Sequence, residues 1–290
     1  MKCVFCANRI EINTYFQNFD KLKTWMHILS KILAINFLDQ SLLTPSNNYD
    51  ETQQKQKNYE WQLRIYCTEI ISAFFNFASR VISLASEKVK PWKIGISNEF
   101  IKTYSLSFVE TFYKLLETTK QNQFMAPKFL MNILRSFTFS LRLDYLLMNL
   151  TPYLDALLFD MCIPLLKIDY RDIDLWNNDP IQYIYAIGCC YDEHIRLRET
   201  GKELIQKICQ QQHPNGNLFL FEFVNYTGLC FQSNINSRNG QPLDPSYKET
   251  LLHAFECLYS QVKNQPAILS QMEQILAKSV IPELQSDQPF

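Results

Sequence analysis

Glycine is scarce, with six in 290 residues, well below the roughly 7% of average usage. Phosphate-cradling loops and the tight turns of doubly wound sheets and β-barrels consume glycine. Neither G-x-G-x-x-G nor G-x-x-x-x-G-K-[ST] occurs anywhere in the chain. Most nucleotide-dependent dehydrogenases and NTPases are disfavoured by that absence. An excess of one charge is missing too: 28 basic residues face 29 acidic ones, for a formal net charge of −1. A nucleic-acid binder recruits phosphates through a basic stripe. The densest basic stretch, Gln53 to Lys57, is short and reads as a solvated loop. Direct nucleic-acid binding is therefore not expected.

Long apolar runs are also lacking. The richest stretch, Tyr145 to Leu166, is broken by Asn149, Pro152, Asp155 and Asp160, and membrane insertion is not expected. The segment Met1 to Cys6 has no apolar signal-peptide run, so the Asn149-Leu150-Thr151 and Asn225-Tyr226-Thr227 sequons read as chance matches. Nine cysteines, at positions 3, 6, 67, 162, 189, 190, 209, 230 and 257, form no regular framework. Most sit in apolar helical patterns, where cysteine acts as a small hydrophobe, and reduced intracellular thiols fit best. Cys3-Val4-Phe5-Cys6 has no second ligand pair at zinc spacing, and adjacent Cys189 and Cys190 before His194 make a poor ligand set. Both read as buried helix thiols. The histidines, His27, His194, His213 and His253, lie in no recognisable nucleophile context. No catalytic residue, metal site or cofactor is expected.

What the chain has is helical pattern. Apolar residues make up 47% of it and charged residues 20%, enough for a sizeable core. Leu63, Cys67, Ile70, Phe74 and Phe77 are spaced at helical intervals, with Trp61, Ile65, Ile71 and Phe75 on an adjoining face. A helix this apolar on two sides needs neighbours on two sides, as in a stacked array. Asn98 to Thr119 carries Ile101, Tyr104, Phe108, Phe112 and Leu115. A helix follows from Ala126 to Arg142, with Pro127 in its first turn. Thr151 and Pro152 read as N-cap and N1 of the next, whose stripe is Leu154, Leu157, Leu158, Met161 and Leu165. A helix from about Glu193 to Gln211 contains Gly201, which reads as a weak spot or break. Asn217 to Gln232 has strand-like composition but a helical context, and is taken as helix.

Polar loops are expected over Asp39 to Lys57, Ser233 to Pro245 and Lys167 to Asn178. The fold class expected is all-α: an α-solenoid of HEAT/armadillo-type hairpins near 58–119, 124–167, 180–232 and 243–284, preceded by an unpaired helix near 20–35. That is a single segment of about four and a half repeats.

The acidic stretch Lys167 to Pro180 gathers Asp169, Asp172, Asp174 and Asp179 within eleven residues. It lacks the glycine and terminal glutamate of an EF-hand. Asp179 and Pro180 read as N-cap and N1 of the next helix, which puts the aspartates in the loop before it. Two readings stay open: a solvated loop with a capping aspartate, or a negative contact for a basic partner. Trp176 either anchors a partner or pins the loop to the next helix; the second is preferred.

Within this stretch, Asp174-Leu175-Trp176-Asn177-Asn178-Asp179-Pro180-Ile181-Gln182-Tyr183-Ile184 resembles the E-L-W-x-x-D-P-x-x-Y-I signature of the importin-7 and importin-8 group. Gln123-Phe124-Met125-Ala126-Pro127 is similar to that group's Q-Y-M-A-P helix start. Phe159-Asp160-Met161-Cys162-Ile163-Pro164-Leu165 looks like its I-F-P-L-M-C segment. Gln271-Met272-Glu273 through Ile281-Pro282-Glu283-Leu284 is similar to its Q-M-E and V-F-P-L stretch. The matches come in the right order. The resemblance implies a nuclear import receptor of the importin-β superfamily, a non-enzymatic HEAT-repeat solenoid that shuttles between cytoplasm and nucleus. It implies basic cargo such as ribosomal proteins or histones, phenylalanine-glycine nucleoporins, and release of cargo by Ran-GTP. The acidic segment, Asp169, Asp172, Asp174, Trp176 and Asp179, becomes the expected cargo or Ran contact, with Leu175, Pro180, Tyr183 and Ile184 as motif positions.

The matched motifs are expected to fall between the family's N-terminal importin domain, where most Ran contact is made, and its C-terminal arch, so that independent Ran binding is not expected of them. The chain has Tyr185 where the family has arginine. Two other readings are a helical-repeat scaffold without a transport role and an all-α enzyme using the aspartates with Mg²⁺.

Overall fold

A computed structural model describes residues 18–35, 40–45, 49–84, 89–119, 123–168, 170–189, 193–233, 240, 245–263 and 265–284. These are helical almost throughout. Among the described residues there is no strand, only an isolated bridge between Gln212 and Leu218. The all-α class expected from the sequence is what is seen, built from helices packed in sequence-adjacent groups. The chain divides into two compact units, Met1–Leu150 and Thr151–Phe290.

In the first unit, α1 (Phe19–Ala34) buries Leu22, Met26, Leu29 and Leu33, the i, i+4, i+7 stripe of an amphipathic helix. Asn18 caps it, its Oδ1 accepting from the Asp20 amide at 2.9 Å. A short helix α2 (Tyr49–Lys57) follows, then α3 (Tyr59–Ser83), α4 (Pro91–Glu99), α5 (Leu106–Thr119), α6 (Pro127–Ser140) and α7 (Asp144–Leu150). The central helix α3 packs on α1, α4 and, most extensively, α6. Trp61 lies edge-on to Phe124 at 5.7 Å and to Phe129 at 5.5 Å, and Phe100 sits against Phe74 and Phe75. Across the α3–α6 seam, Asn132 Nδ2 donates to Ile65 O at 3.3 Å and Thr68 Oγ1 at 3.2 Å. This pays the desolvation of a buried amide. By length and composition alone, Tyr59–Ser83 and Asp144–Leu165 are apolar enough to cross a membrane; the first spends its apolar residues on the core just described.

Two expectations change here. Gln53 to Lys57 belongs to α2, not to a solvated loop. Lys55 is buried, with Nζ donating to Thr44 O at 2.8 Å and Thr44 Oγ1 at 3.0 Å and pairing with Glu51 at 2.8 Å. Gln and Lys are good helix formers, but a segment polar all round gives no periodic signal. Helix formation also begins before Asn98, at Pro91, and runs through a π-helical turn, Phe100–Ser105, into α5.

In the second unit, Thr151 and Pro152 do not open a new helix. They lie in a 3-10 turn, Thr151–Tyr153, that leads into Leu154–Ala156, a π turn at Leu157–Cys162 and Ile163–Leu165. The unit continues with α8 (Tyr170–Asn178), α9 (Pro180–Cys189), α10 (Glu193–Cys209), α11 (Phe219–Ser233), α12 (Pro245–Val262) and α13 (Pro266–Ile275). Asn217 to Gln232 is thus helical, as expected. Phe219, Phe223, Leu204, Ile205 and Leu258 are fully buried between α10, α11 and α12. Gly201 does not break α10; it is buried in mid-helix, and a Cβ there would lie 3.1 Å from Leu166 Cδ2. Its lack of a side chain admits a close packing partner. The Ser233 to Pro245 loop lies almost wholly outside the described residues.

Candidate functional site

The acidic stretch is helix, not loop. Helix α8 spans Tyr170–Asn178, with Asp172 in its first turn, where a carboxylate complements the helix dipole. Helical geometry then separates the acids. Residues two apart project about 200° from each other, so Asp172 and Asp174 cannot act on one contact. Asp172 meets Arg198 of α10 in a bidentate pair, Oδ2 to Nη1 at 2.6 Å and Oδ1 to Nη2 at 2.9 Å. Each side chain is only 13% exposed, so this carboxylate is committed to holding α8 on α10.

Asp174 is exposed and accepts from Asn178 Nδ2 at 2.9 Å, one turn on. Asp179 is exposed between α8 and α9, and its Oδ1 accepts from the Gln182 amide at 3.0 Å. That is the N-cap geometry read from Asp179-Pro180. Asp169 falls outside the described residues.

Trp176 is 52% exposed and lies edge-on to Tyr183 of α9, centroids 5.4 Å apart. Tyr183 is half-buried, and burial first, then the Asp172 and Glu249 carboxylates, raise its hydroxyl pKa against the opposing pull of Arg198. Glu249 of α12 is itself raised, chiefly by burial. Of the other motif positions, Leu175 is half-buried while Pro180 and Ile184 are exposed. The hairpin α8–α9 thus presents Asp174, Asp179 and Trp176 outward and keeps Asp172 and Tyr183 inward. Sequence reading missed Arg198, which lies 26 residues from its partner and carries no local signal of the pairing.

Beside the hairpin, α10 and α12 are laced by charge. Lys202 pairs with Glu199 at 3.0 Å and Glu256 at 3.2 Å, and His253 Nδ1 lies 3.5 Å from Glu256. Gln206 Nε2 donates to Cys257 O at 2.5 Å, and Gln261 Nε2 donates to Gln206 O at 3.0 Å.

Among the described residues no group of three His, Cys, Asp or Glu side chains is placed to hold a metal ion. Cys3, Cys6 and Cys190 lie outside those residues, as does the side chain of Cys189. Cys67, Cys162, Cys209 and Cys230 are buried free thiols and Cys257 is partly covered. Burial pushes Cys67 and Cys257 up to about 12 and raises Cys162 and Cys209 as well. These are packing thiols rather than nucleophiles.

No family model matches the chain, and no solved structure matches it. Curated proteins do. The chain is 23% identical to "Probable importin-7 homolog" of Dictyostelium discoideum over 255 residues, which is 86% of this chain and 23% of that protein. It is 22% identical to "Importin-8" of Danio rerio over 229 residues, 78% of this chain and 21% of the relative. It is 22% identical to "Importin beta-like SAD2 homolog" of Arabidopsis thaliana over 260 residues, 88% of this chain and 24% of the relative. The chain therefore spans about a quarter of the length of the curated relatives it matches.

Proposed function

Because this chain is importin-7/importin-8-like over most of its length, we propose that it is a segment of a nuclear transport receptor of the importin-β superfamily that acts by non-covalent binding. The observation that carries the reading is the likeness to importin-7-, importin-8- and importin-beta-like proteins, which covers 78% or more of the chain in each case. In this reading the helices belong to one HEAT-type array of about four and a half hairpins, in which each repeat contacts mainly its neighbours.

The ligands are basic cargo proteins of the ribosomal-protein or histone type, with Ran-GTP and phenylalanine-glycine nucleoporins as further partners, and the protein shuttles between cytoplasm and nucleus. Asp174, Asp179 and Trp176 supply the exposed part of the cargo or Ran contact. Asp172 supports it from behind through Arg198, and Asp169 stays in the proposal on its sequence position alone. Exposed carboxylates of this kind steer a basic partner and fix its register more than they add raw affinity.

Pull-down with an immobilised basic ribosomal protein tests the reading. Retention of this chain, and its release on adding Ran-GTP but not Ran-GDP, is the expected result. No retention at low salt contradicts cargo binding, and retention indifferent to Ran-GTP contradicts the transport reading.

A further inference from the structure

Helix α6 is enclosed on nearly every side. From Ala126 to Leu143 every residue is buried except Lys128, Arg135, Phe139 and Arg142. The three cations stand at i, i+7 and i+14, so they share one line along the helix. Phe139 falls on the same line, one turn after Arg135. The part of α6 that is open to solvent is therefore a narrow basic strip.

No acid balances it along the chain. Between Glu117 and Asp144 the sequence holds Lys120, Lys128, Arg135 and Arg142 but no aspartate or glutamate. The chain as a whole carries −1, so this excess is local. Among the described residues neither Arg135 nor Arg142 is ion-paired, whether with Glu69, the exposed acid beside the Thr68–Asn132 bond on α3, or with any other. Lys128 has a contact of its own, so the two arginines carry the argument. Arg135 is half-buried, and its planar fork is suited to a carboxylate. Arg142 lies over the Phe139 ring, 5.6 Å from the centroid, which holds its guanidinium in place before any partner arrives.

We infer that this strip binds an extended acidic segment of a partner protein, whose carboxylates seat on Arg135 and Arg142. Spacing selects the occupant. Successive cations lie about 10 Å apart along the helix axis, and an extended chain covers about 10 Å in three residues. Aspartate or glutamate at every third position therefore matches the strip. A strip one side chain wide suits an extended chain better than a helix about 10 Å across. Nucleic acid fits poorly, since each duplex strand has a phosphate about every 3.4 Å of axis and most of them find no cation here. The inference is separate from the transport reading, in which the ligand is basic and the contact acids belong to the second unit.

Fluorescence anisotropy on the full chain tests it with three labelled probes. The first is a peptide with glutamate at every third position, the second has the same composition with its glutamates contiguous, and the third is oligodeoxythymidine. The spaced peptide is expected to bind about tenfold or more tighter than the other two, and to weaken as salt screens the arginines. Arg135→Gln with Arg142→Gln is expected to lower its affinity about tenfold. Arg196→Gln with Lys263→Gln removes the same charge from exposed positions of the second unit and is expected to leave the affinity unchanged. Arg142→Glu alone, at an exposed position, repeats the loss without touching half-buried Arg135.

Spaced and contiguous peptides binding alike, tighter binding of oligodeoxythymidine, or an affinity that the Arg135 and Arg142 variants leave unchanged overturns the inference. So does an equal loss in the two double variants. None of these measurements involves a basic ligand or Ran-GTP. Failure of Ran-sensitive release in the pull-down therefore strikes the transport reading alone, and unaltered arginine variants strike this strip alone.

Discussion

Arg198 grips Asp172 with both terminal guanidinium nitrogens, at 2.6 and 2.9 Å, and both side chains are 13% exposed. This pair joins α8 to α10 and decides which acids of the hairpin remain open to a partner. Truncating one member strands the other charge in a poorly solvated place. Asp172→Ala is expected to cost about 2 kcal/mol of stability by chemical denaturation. The double variant Asp172→Ala with Arg198→Met should cost less than Asp172→Ala alone. A double-variant cost equal to the sum of the Asp172→Ala and Arg198→Met costs would show that the pair is not coupled.

Gly201 and Leu166 form a packing test. Alanine at 201 gains up to about 1 kcal/mol of helix propensity, but its Cβ would lie 3.1 Å from Leu166 Cδ2. Leu166 is fully buried and has little room to give. Gly201→Ala is therefore expected to destabilise the protein by about 1 kcal/mol. In a Leu166→Val background, which removes the interfering methyl, the same change should turn neutral or stabilising. Thermal melts of the four-member cycle check this.

The Glu199–Lys202–Glu256 triad sets a pH window. Lys202 is raised: burial opposes the charge, and the two glutamates outweigh it. Glu256 is lowered: burial again opposes the charge, and Lys202 and His253 outweigh it. A depressed carboxylate stabilises above its unfolded value and loses that as pH falls through the folded one. A raised lysine stabilises below its unfolded value and loses that as pH rises through the folded one. The contribution is thus complete between the ordinary glutamate value of 4.5 and the ordinary lysine value of 10.5. Because the group is partly solvated, Lys202→Met should cost only about 0.5 kcal/mol within that window. The cost should shrink in high salt and at either pH extreme. A cost that holds steady in 1 M salt contradicts the electrostatic origin.

Thiol reactivity reports the packing of both units. With Cys67 and Cys257 pushed from 9.0 up to about 12, their thiolate fraction near pH 8 falls about a thousandfold. Alkylation of the native protein followed by mass spectrometry should leave Cys67, Cys162 and Cys209 unmodified on a timescale that labels the denatured chain completely. Rapid native labelling of Cys67 would contradict the α1–α3 packing, in which its Sγ lies 3.7 Å from Leu29 O.

Much of the fold was legible because burial leaves a period in the sequence. The stripe Cys67, Ile70, Phe74 lies in the core as spaced, Pro127 opens α6, and Asp179 caps α9. What failed to show lacks an apolar period. Helix α2 is polar all round, and only the tertiary bonds of Lys55 reveal why it is ordered. Gly201 looked like a break because its reason is Leu166, far off in sequence. The acidic cluster looked concentrated because four aspartates are close along the chain, but a helix turns neighbours apart, and the arginine that claims Asp172 sits on another helix.

The most direct measurement of the central claim is binding of a basic ribosomal protein to this chain across a salt series, with wild type beside Asp174→Asn/Asp179→Asn. Asparagine preserves the cap and the Asn178 bond, so only charge changes. Wild-type binding that weakens steeply with salt, a variant that binds more weakly and with a shallower salt dependence, and displacement by Ran-GTP are predicted. No binding at low salt, or variant and wild type indistinguishable throughout the series, would contradict the account.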